Sequence, residues 1–174
     1  LDTIILSLLQ PAAHVGIYNV AYKIMENLIF FPAMLVGLIL PLLARAHQVN
    51  QTQFREIVDK TAKVFIVIVL PIIVGILFLA PDVVAVVSGG GFEASANVLR
   101  ILIFSLTGIF FGHYFNMLIL VGNAQKKLLN ALALVAVVNV SLNVVLIREF
   151  SDFGAALSSA VTEARVVVLS GVIA

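Results

Sequence analysis

The sequence predicts an all-α fold, a polytopic transmembrane helical bundle of about five membrane-spanning helices, and three observations predict it. The 174 residues are 62% hydrophobic and only 11% charged, against ~45–50% apolar and ~25% charged in an ordinary soluble domain. The mean hydropathy is +1.18. Five apolar segments of about the length a bilayer requires, ~20 residues each, are separated by short connections with turn chemistry.

A short apolar lead-in at residues 2–9 precedes the spans. It begins at Leu1-Asp2 with no charged or small-residue flank, so it does not read as a signal peptide. We expect the chain to be a fragment of a longer protein. The first span, residues 15–46, would run ~48 Å as a helix, longer than the ~30 Å hydrocarbon core. Asn19, Lys23, Glu26 and Asn27 fall at i, i+4, i+7 and i+8, one stripe of that helix. Ionisable groups at such depth are costly in lipid and are expected to face other helices or a wet cavity. Pro32 and Pro41 interrupt its apolar half and favour a bend.

In residues 52–63, Arg55, Glu56, Asp59 and Lys60 alternate with Phe54, Ile57 and Val58, a pattern expected of an amphipathic helix lying at the interface. The second span follows at 61–80 and contains Pro71. Gly89-Gly90-Gly91 then forms a loop, since no βα unit follows that would cradle a phosphate. The third span covers 97–121, the fourth 128–147 and the fifth 154–174, joined at Gly122-Asn123 and Ser151–Gly154. Gly75, Gly108, Gly112 and Gly171 lie inside spans and suit close helix packing.

Basic residues set the orientation. Arg45, Arg55, Lys60 and Lys63 cluster between the first two spans and Lys126-Lys127 between the third and fourth. The opposite loops hold Asp82, Glu93, Glu149 and Asp152, with Arg148 as the exception. The positive-inside rule therefore puts loops 46–63 and 122–127 in the cytoplasm of a multi-pass protein, expected in the inner (plasma) membrane.

Lys23 and Glu26 lead the candidate site residues. They line a polar cavity, or they neutralise each other as an i, i+3 pair with Lys23 reaching outward. Ser159, Glu163 and Ser170 align on the last segment beside Arg165, with Glu163 ~13 Å below Gly154 and so near the bilayer middle. Lys23 or Arg165 is expected to balance Glu163. Arg100 shares a face with Thr107 below the outer loop, where it attracts an anionic head group or pairs with Glu93 or Asp82. His113 and Asn116 lie on the other side of that helix and are not expected in the same site. Asn139 and Asn143, at i, i+4, read as a contact between helices.

Other chemistries find no support. There is no cysteine, and His14, His47 and His113 are far apart, so no metal site is expected. No H-E-x-x-H, P-loop or G-x-S-x-G motif occurs, which leaves no cofactor and no enzymatic centre to propose. A net charge of +1 gives no reason to expect a nucleic acid.

The segments Asp2-Thr3-Ile4-Ile5-Leu6 and Val15-Gly16-Ile17-Tyr18-Asn19-Val20-Ala21-Tyr22-Lys23 resemble the polysaccharide transporter family of lipid-linked oligosaccharide flippases. The resemblance continues through Pro32, Leu40-Pro41-Leu42-Leu43-Ala44-Arg45 and Leu70-Pro71-Ile72. It resumes at Ser95 to Ile103, Asn139 to Asn143, Gly154-Ala155-Ala156 and Thr162-Glu163. Where the family tends to have Ile-Pro before the Gly-Ala-Ala helix, this chain has Ile147-Arg148.

The resemblance implies half of a two-bundle transporter of the multidrug/oligosaccharidyl-lipid/polysaccharide superfamily. Its partners would be the bilayer, the missing N-terminal bundle and a lipid-linked sugar. The implied function is flipping an undecaprenyl-pyrophosphate-linked repeat by alternating access around a central polar cavity. Asn19, Lys23, Glu26, Arg100, Glu163 and Arg165 are the cavity candidates, with the cations suited to a pyrophosphate. The alternative within transport is a cation-coupled multidrug or metabolite exporter, with Glu163 as its one deep acid on that span. A glycan polymerase or ligase would need a large outer loop, and a scaffold would need spans without inward charge.

Overall fold

A computed structural model describes residues 2–174, apart from the side chains of Ala131 and Leu134. Five α-helices follow in order: α1 (Asp2–Leu9), α2 (Ala12–Val49), α3 (Gln51–Ser88), α4 (Ser95–Val121) and α5 (Gln125–Ile173). Four of them are long and apolar enough to cross a membrane.

The fourth and fifth expected spans both lie in α5, which is broken at Ser151 (φ 50°, ψ −125°). On a straight helix Asn139 and Thr162 would stand ~34 Å apart. Instead Asn139 Nδ2 donates to Thr162 Oγ1 at 2.7 Å. The two residues are almost equidistant from Ser151, so the arms 125–150 and 152–173 fold back on each other as an antiparallel hairpin. Gly154 makes the reversal possible: a Cβ there would run into the carbonyl oxygen of Leu146 in the other arm.

The expected separate interfacial helix over 52–63 is corrected: these residues are the first turns of α3, which runs 38 residues without a break. A single extended residue, Asn50 (φ −151°, ψ 102°), turns α2 into α3, and its side chain accepts from the backbone N–H groups of Thr52 and Gln53 at 3.0 and 3.1 Å. With the first turn capped, extending a helix is easier than stopping it. His47 and Phe54 pack ring against ring across this turn, with centroids 5.0 Å apart. At the other end α3 stops at Gly89 (φ 70°), and Gly90 and Gly91 are also left-handed, which glycine adopts without a Cβ clash.

α4 is the central helix. Leu99, Leu102, Ile103, Leu106 and Phe110 are buried, packed within one apolar core with residues of α2, α3 and α5. Phe65 of α3 meets Phe110 edge-on at 5.4 Å. A helix with apolar side chains all around and only a few polar ones among them belongs inside a bundle or a bilayer. The outer faces carry Phe30 (64% exposed), Phe78 (79%) and Val86 (85%). Such side chains would be a liability in water and are the expected coat in lipid.

Close approach is concentrated where α4 crosses the second arm of α5. A Cβ at Gly108 would lie 2.7 Å from Glu163 Cβ, so the missing side chain sets that contact. Gly171 meets the Phe115 ring, its Cβ position 3.3 Å away. At Gly75 no close contact of the expected kind is found: among the described residues nothing lies within 4 Å of its Cβ position.

Candidate functional site

A cavity of about 490 Å³ opens between α1, α2, α4 and both arms of α5. α1 contributes Asp2, α2 contributes Tyr22, Met25 and Ile29, and α4 contributes Ser105, Gly112, His113 and Asn116. The first arm of α5 adds Asn139, and the second adds Ser159, Thr162 and Glu163. The walls are mostly apolar, with few polar groups converging, which is the usual make-up of a small-ligand pocket.

Asp2 is the hub of its polar wall. Its Oδ1 accepts from Asn143 Nδ2 at 2.9 Å and its Oδ2 from Ser159 Oγ at 2.5 Å. Tyr18 OH lies 3.3 Å from Ser159 Oγ, and Asn143 Nδ2 also donates to Asn139 Oδ1 at 3.1 Å. With the Asn139–Thr162 bond, one connected network joins α1, α2 and both arms of α5. Away from water each unmade polar bond is costly, so such a network fixes how these helices are turned. Ser105 lines the cavity, and its buried hydroxyl has no partner among the described residues.

Of the six candidates read from the sequence, Glu163 alone lines this cavity. Asn19, Lys23 and Glu26 lie on the exposed face of α2, beside the cavity mouth at Tyr22. The expected balance of Glu163 by Lys23 or Arg165 is not formed among the described residues. Lys23 Nζ pairs with Glu26 Oε2 at 2.9 Å, and the two side chains are 71% and 55% exposed. Residues three apart on one helix reach each other with little reorganisation, whereas Glu163 belongs to another helix. Asn27 donates to the Lys23 carbonyl at 2.8 Å, which holds the stripe together. Arg165 is exposed on the second arm, outside the cavity.

Among the described residues Arg100 makes no pair with Glu93 or Asp82 and has a structural task instead. Pro81 has no N–H, so the Leu77 carbonyl four residues earlier loses its helical donor. Arg100 Nε supplies it from α4 at 3.1 Å, while Asn97 Oδ1 accepts from Nη1 at 3.0 Å. Thr107, on the face of α4 that Arg100 was expected to share, lines a separate apolar groove of about 290 Å³ with Phe104 and Gly108.

The opposite face, that of His113 and Asn116, is the one that fronts the polar cavity. Helical spacing separated the two faces of α4 correctly, but it could not say which one looked inward. Asn139 does join two helices, as read, and lines the cavity as well. Ser159, read on one face with Glu163, does line the cavity beside it, whereas Asp2, Tyr18 and Tyr22 were not singled out as site residues. A carboxylate in the run Asp2-Thr3-Ile4-Ile5-Leu6 was itself a sign, because acids within spans default to a buried or functional role.

The end of the bundle near the Ser151 break is tied as well. His14 Nδ1 lies 2.7 Å from Asp152 Oδ1, next to the Ser151 break. Gln10 Nε2 donates to the Ile147 carbonyl at 2.9 Å, one of those the broken helix leaves without a following turn.

Comparison with known proteins places this architecture. A curated relative from Haloferax volcanii, named a probable low-salt glycan biosynthesis flippase (Agl15), is 26% identical over 174 residues. That match covers 97% of this chain and 36% of the relative, so the chain spans about a third of the relative's length. No solved structure matches. The family model described as polysaccharide biosynthesis protein matches residues 1–97, more than half of the 174. This multi-pass helical membrane chain therefore belongs to the polysaccharide biosynthesis protein family.

Proposed function

We propose that the chain is one helical bundle of a flippase that carries a lipid-linked sugar across the membrane, the second bundle being supplied by the rest of the protein. The observation that carries this reading is the exposed charged stripe of α2. Lys23 and Glu26 stand roughly 16 Å or more along α2 from Ala12, with bare Phe30 one turn beyond Glu26 on the same face and exposed Phe31 beside it. A paired lysine and glutamate exposed at that depth would be costly against acyl chains, and they suit a water-filled space between two bundles.

On this reading Asn19, Lys23 and Glu26 line the path on α2, and Glu163 lines it from the adjoining cavity. Lys23 is the cation placed for a pyrophosphate oxygen, as a point charge with three rotatable donors. Arg100 and Arg165 lie outside the proposed path. The substrate we propose is an undecaprenyl-pyrophosphate-linked oligosaccharide in the inner membrane, with loops 46–63 and 122–127 on the cytoplasmic side. The family and the name of the Haloferax volcanii relative support a glycan-related transporter in preference to an enzyme.

The test is rescue of surface glycan in a strain lacking its glycan flippase, using the full-length gene. Wild type is expected to restore the glycan and Lys23→Ala with Glu26→Ala to lose most of that rescue. Full rescue by the double variant at normal expression would overturn the assigned path. No rescue by expressed wild type, together with no flipping of labelled lipid-linked glycan in liposomes, would overturn the flippase reading itself.

A further inference from the structure

We propose that Tyr22 is the stacking platform for the sugar part of the substrate, an inference that rests on the flippase reading above. Tyr22 is where the charged stripe of α2 meets the cavity. It lines the cavity and is 39% exposed, while Tyr18, one turn earlier, is fully buried. The two rings stack with centroids 5.8 Å apart and an interplanar angle of 18°.

The pair is held from behind. Tyr18 OH lies 3.3 Å from Ser159 Oγ, which in turn donates to Asp2 Oδ2. Tyr22 is thus backed by a ring that is itself fixed to the polar hub. A tyrosine has only two side-chain torsions, and this backing constrains its ring further, so little entropy remains to be lost on binding.

The chemistry around the ring fits a saccharide better than a bare lipid. A pyranose presents C–H groups on its faces and hydroxyls around its edge. The C–H face matches the negative face of an aromatic ring. Asn19, Lys23 and Glu26 flank Tyr22 on the same exposed side of α2, and between them they offer amide, ammonium and carboxylate partners for the hydroxyls. Tyr22 lies ~15 Å along α2 from Ala12, within the first third of that helix. Among the described residues its hydroxyl has no hydrogen-bond partner, unlike that of Tyr18.

The experiment uses the full-length transporter in nanodiscs and two probes, an undecaprenyl-pyrophosphate-linked oligosaccharide and undecaprenyl pyrophosphate without sugar. Tyr22→Leu is expected to weaken the sugar-bearing probe about tenfold and leave the sugarless one unchanged, for a stacked-ring contact of the usual size. Tyr22→Phe is expected to stay within about twofold of wild type for both, since the ring carries the contact. Tyr22→Trp gives a second readout that does not depend on the leucine variant folding: its fluorescence is expected to change with the sugar-bearing probe alone.

Equal weakening of both probes by Tyr22→Leu, no weakening of either, or a Tyr22→Trp emission indifferent to the sugar would overturn the proposal. Wild type that binds neither probe would overturn the flippase reading and this inference with it. Wild type that binds the sugarless probe as tightly as the sugar-bearing one would overturn the stacking role alone.

Discussion

Replacing Gly108 by alanine adds one methyl group at the tightest helix crossing, and its cost can be worked from distances. The new Cβ would sit 2.7 Å from Glu163 Cβ and 3.1 and 3.2 Å from the Glu163 carbonyl carbon and oxygen. Two of those three atoms are backbone, so no rotamer change relieves them, and the second arm of α5 must move away. Overpacking of this kind costs ~1–3 kcal/mol. Alanine returns ~0.5–1 kcal/mol of helix propensity, which leaves a net loss of up to about 2.5 kcal/mol. Gly75→Ala is the matched control, because nothing lies within 4 Å of its Cβ position and only the propensity gain remains. Gly112→Ala falls between, with Val166 Cγ1 at an ordinary 3.9 Å. The two variants share the propensity gain, so the overpacking cost alone separates them, and at ~2–4 °C per kcal/mol Gly108→Ala is expected to melt roughly 2–12 °C below Gly75→Ala. Thermal unfolding of the full-length protein in detergent, followed by circular dichroism, measures the gap. Gly108→Ala melting level with Gly75→Ala would refute the idea that this crossing is set by the missing side chain.

Two further outcomes follow from the hydrogen bonds. Arg100→Met is expected to cost ~1–2 kcal/mol by leaving the Leu77 carbonyl unpaired. It should cost less in a Pro81→Ala background, where the new N–H takes over that carbonyl; equal costs in both backgrounds, read as a double-mutant cycle on unfolding, would remove the explanation for Arg100. His14→Ala leaves Asp152, whose side chain is only 6% exposed, without its hydrogen-bond partner. Amide exchange around Ser151 is expected to speed up about tenfold in that variant, while exchange in the middle of α4 stays as in wild type.

What could be read from the sequence was what each helix shows by itself. Lipid as solvent forces apolar segments into helices of a minimum length, so the bounds at 97–121 came close to α4, and the pair of spans about Ser151–Gly154 matched the two arms of α5. The stripe of Asn19, Lys23, Glu26 and Asn27 was legible for the same reason, since 3.6-residue periodicity is a property of one helix. The interfacial helix over 52–63 failed because amphipathic composition does not break a helix; only a residue such as Asn50 or Ser151 does.

The candidate site was harder because its membership depends on how helices are rotated about one another. α4 carries two polar faces, Arg100 with Thr107 and His113 with Asn116, and its sequence favours neither. The choice is made by contacts distant in the chain. Pro81 leaves a carbonyl that claims Arg100 for α3, while Gly108 brings the second arm of α5 close against α4, and Glu163 lines the same cavity as His113. Asp2 completes the arrangement from α1, drawing Asn143 and Ser159 to one carboxylate although they sit on opposite arms of the hairpin. Once that hub is fixed, Ser159 holds Tyr18, Tyr18 backs Tyr22, and the exposed stripe of α2 is set beside the cavity rather than away from it. In a bundle whose helices are apolar nearly all round, burial alone leaves rotation poorly determined, and a few polar bonds and missing side chains decide where the charges point.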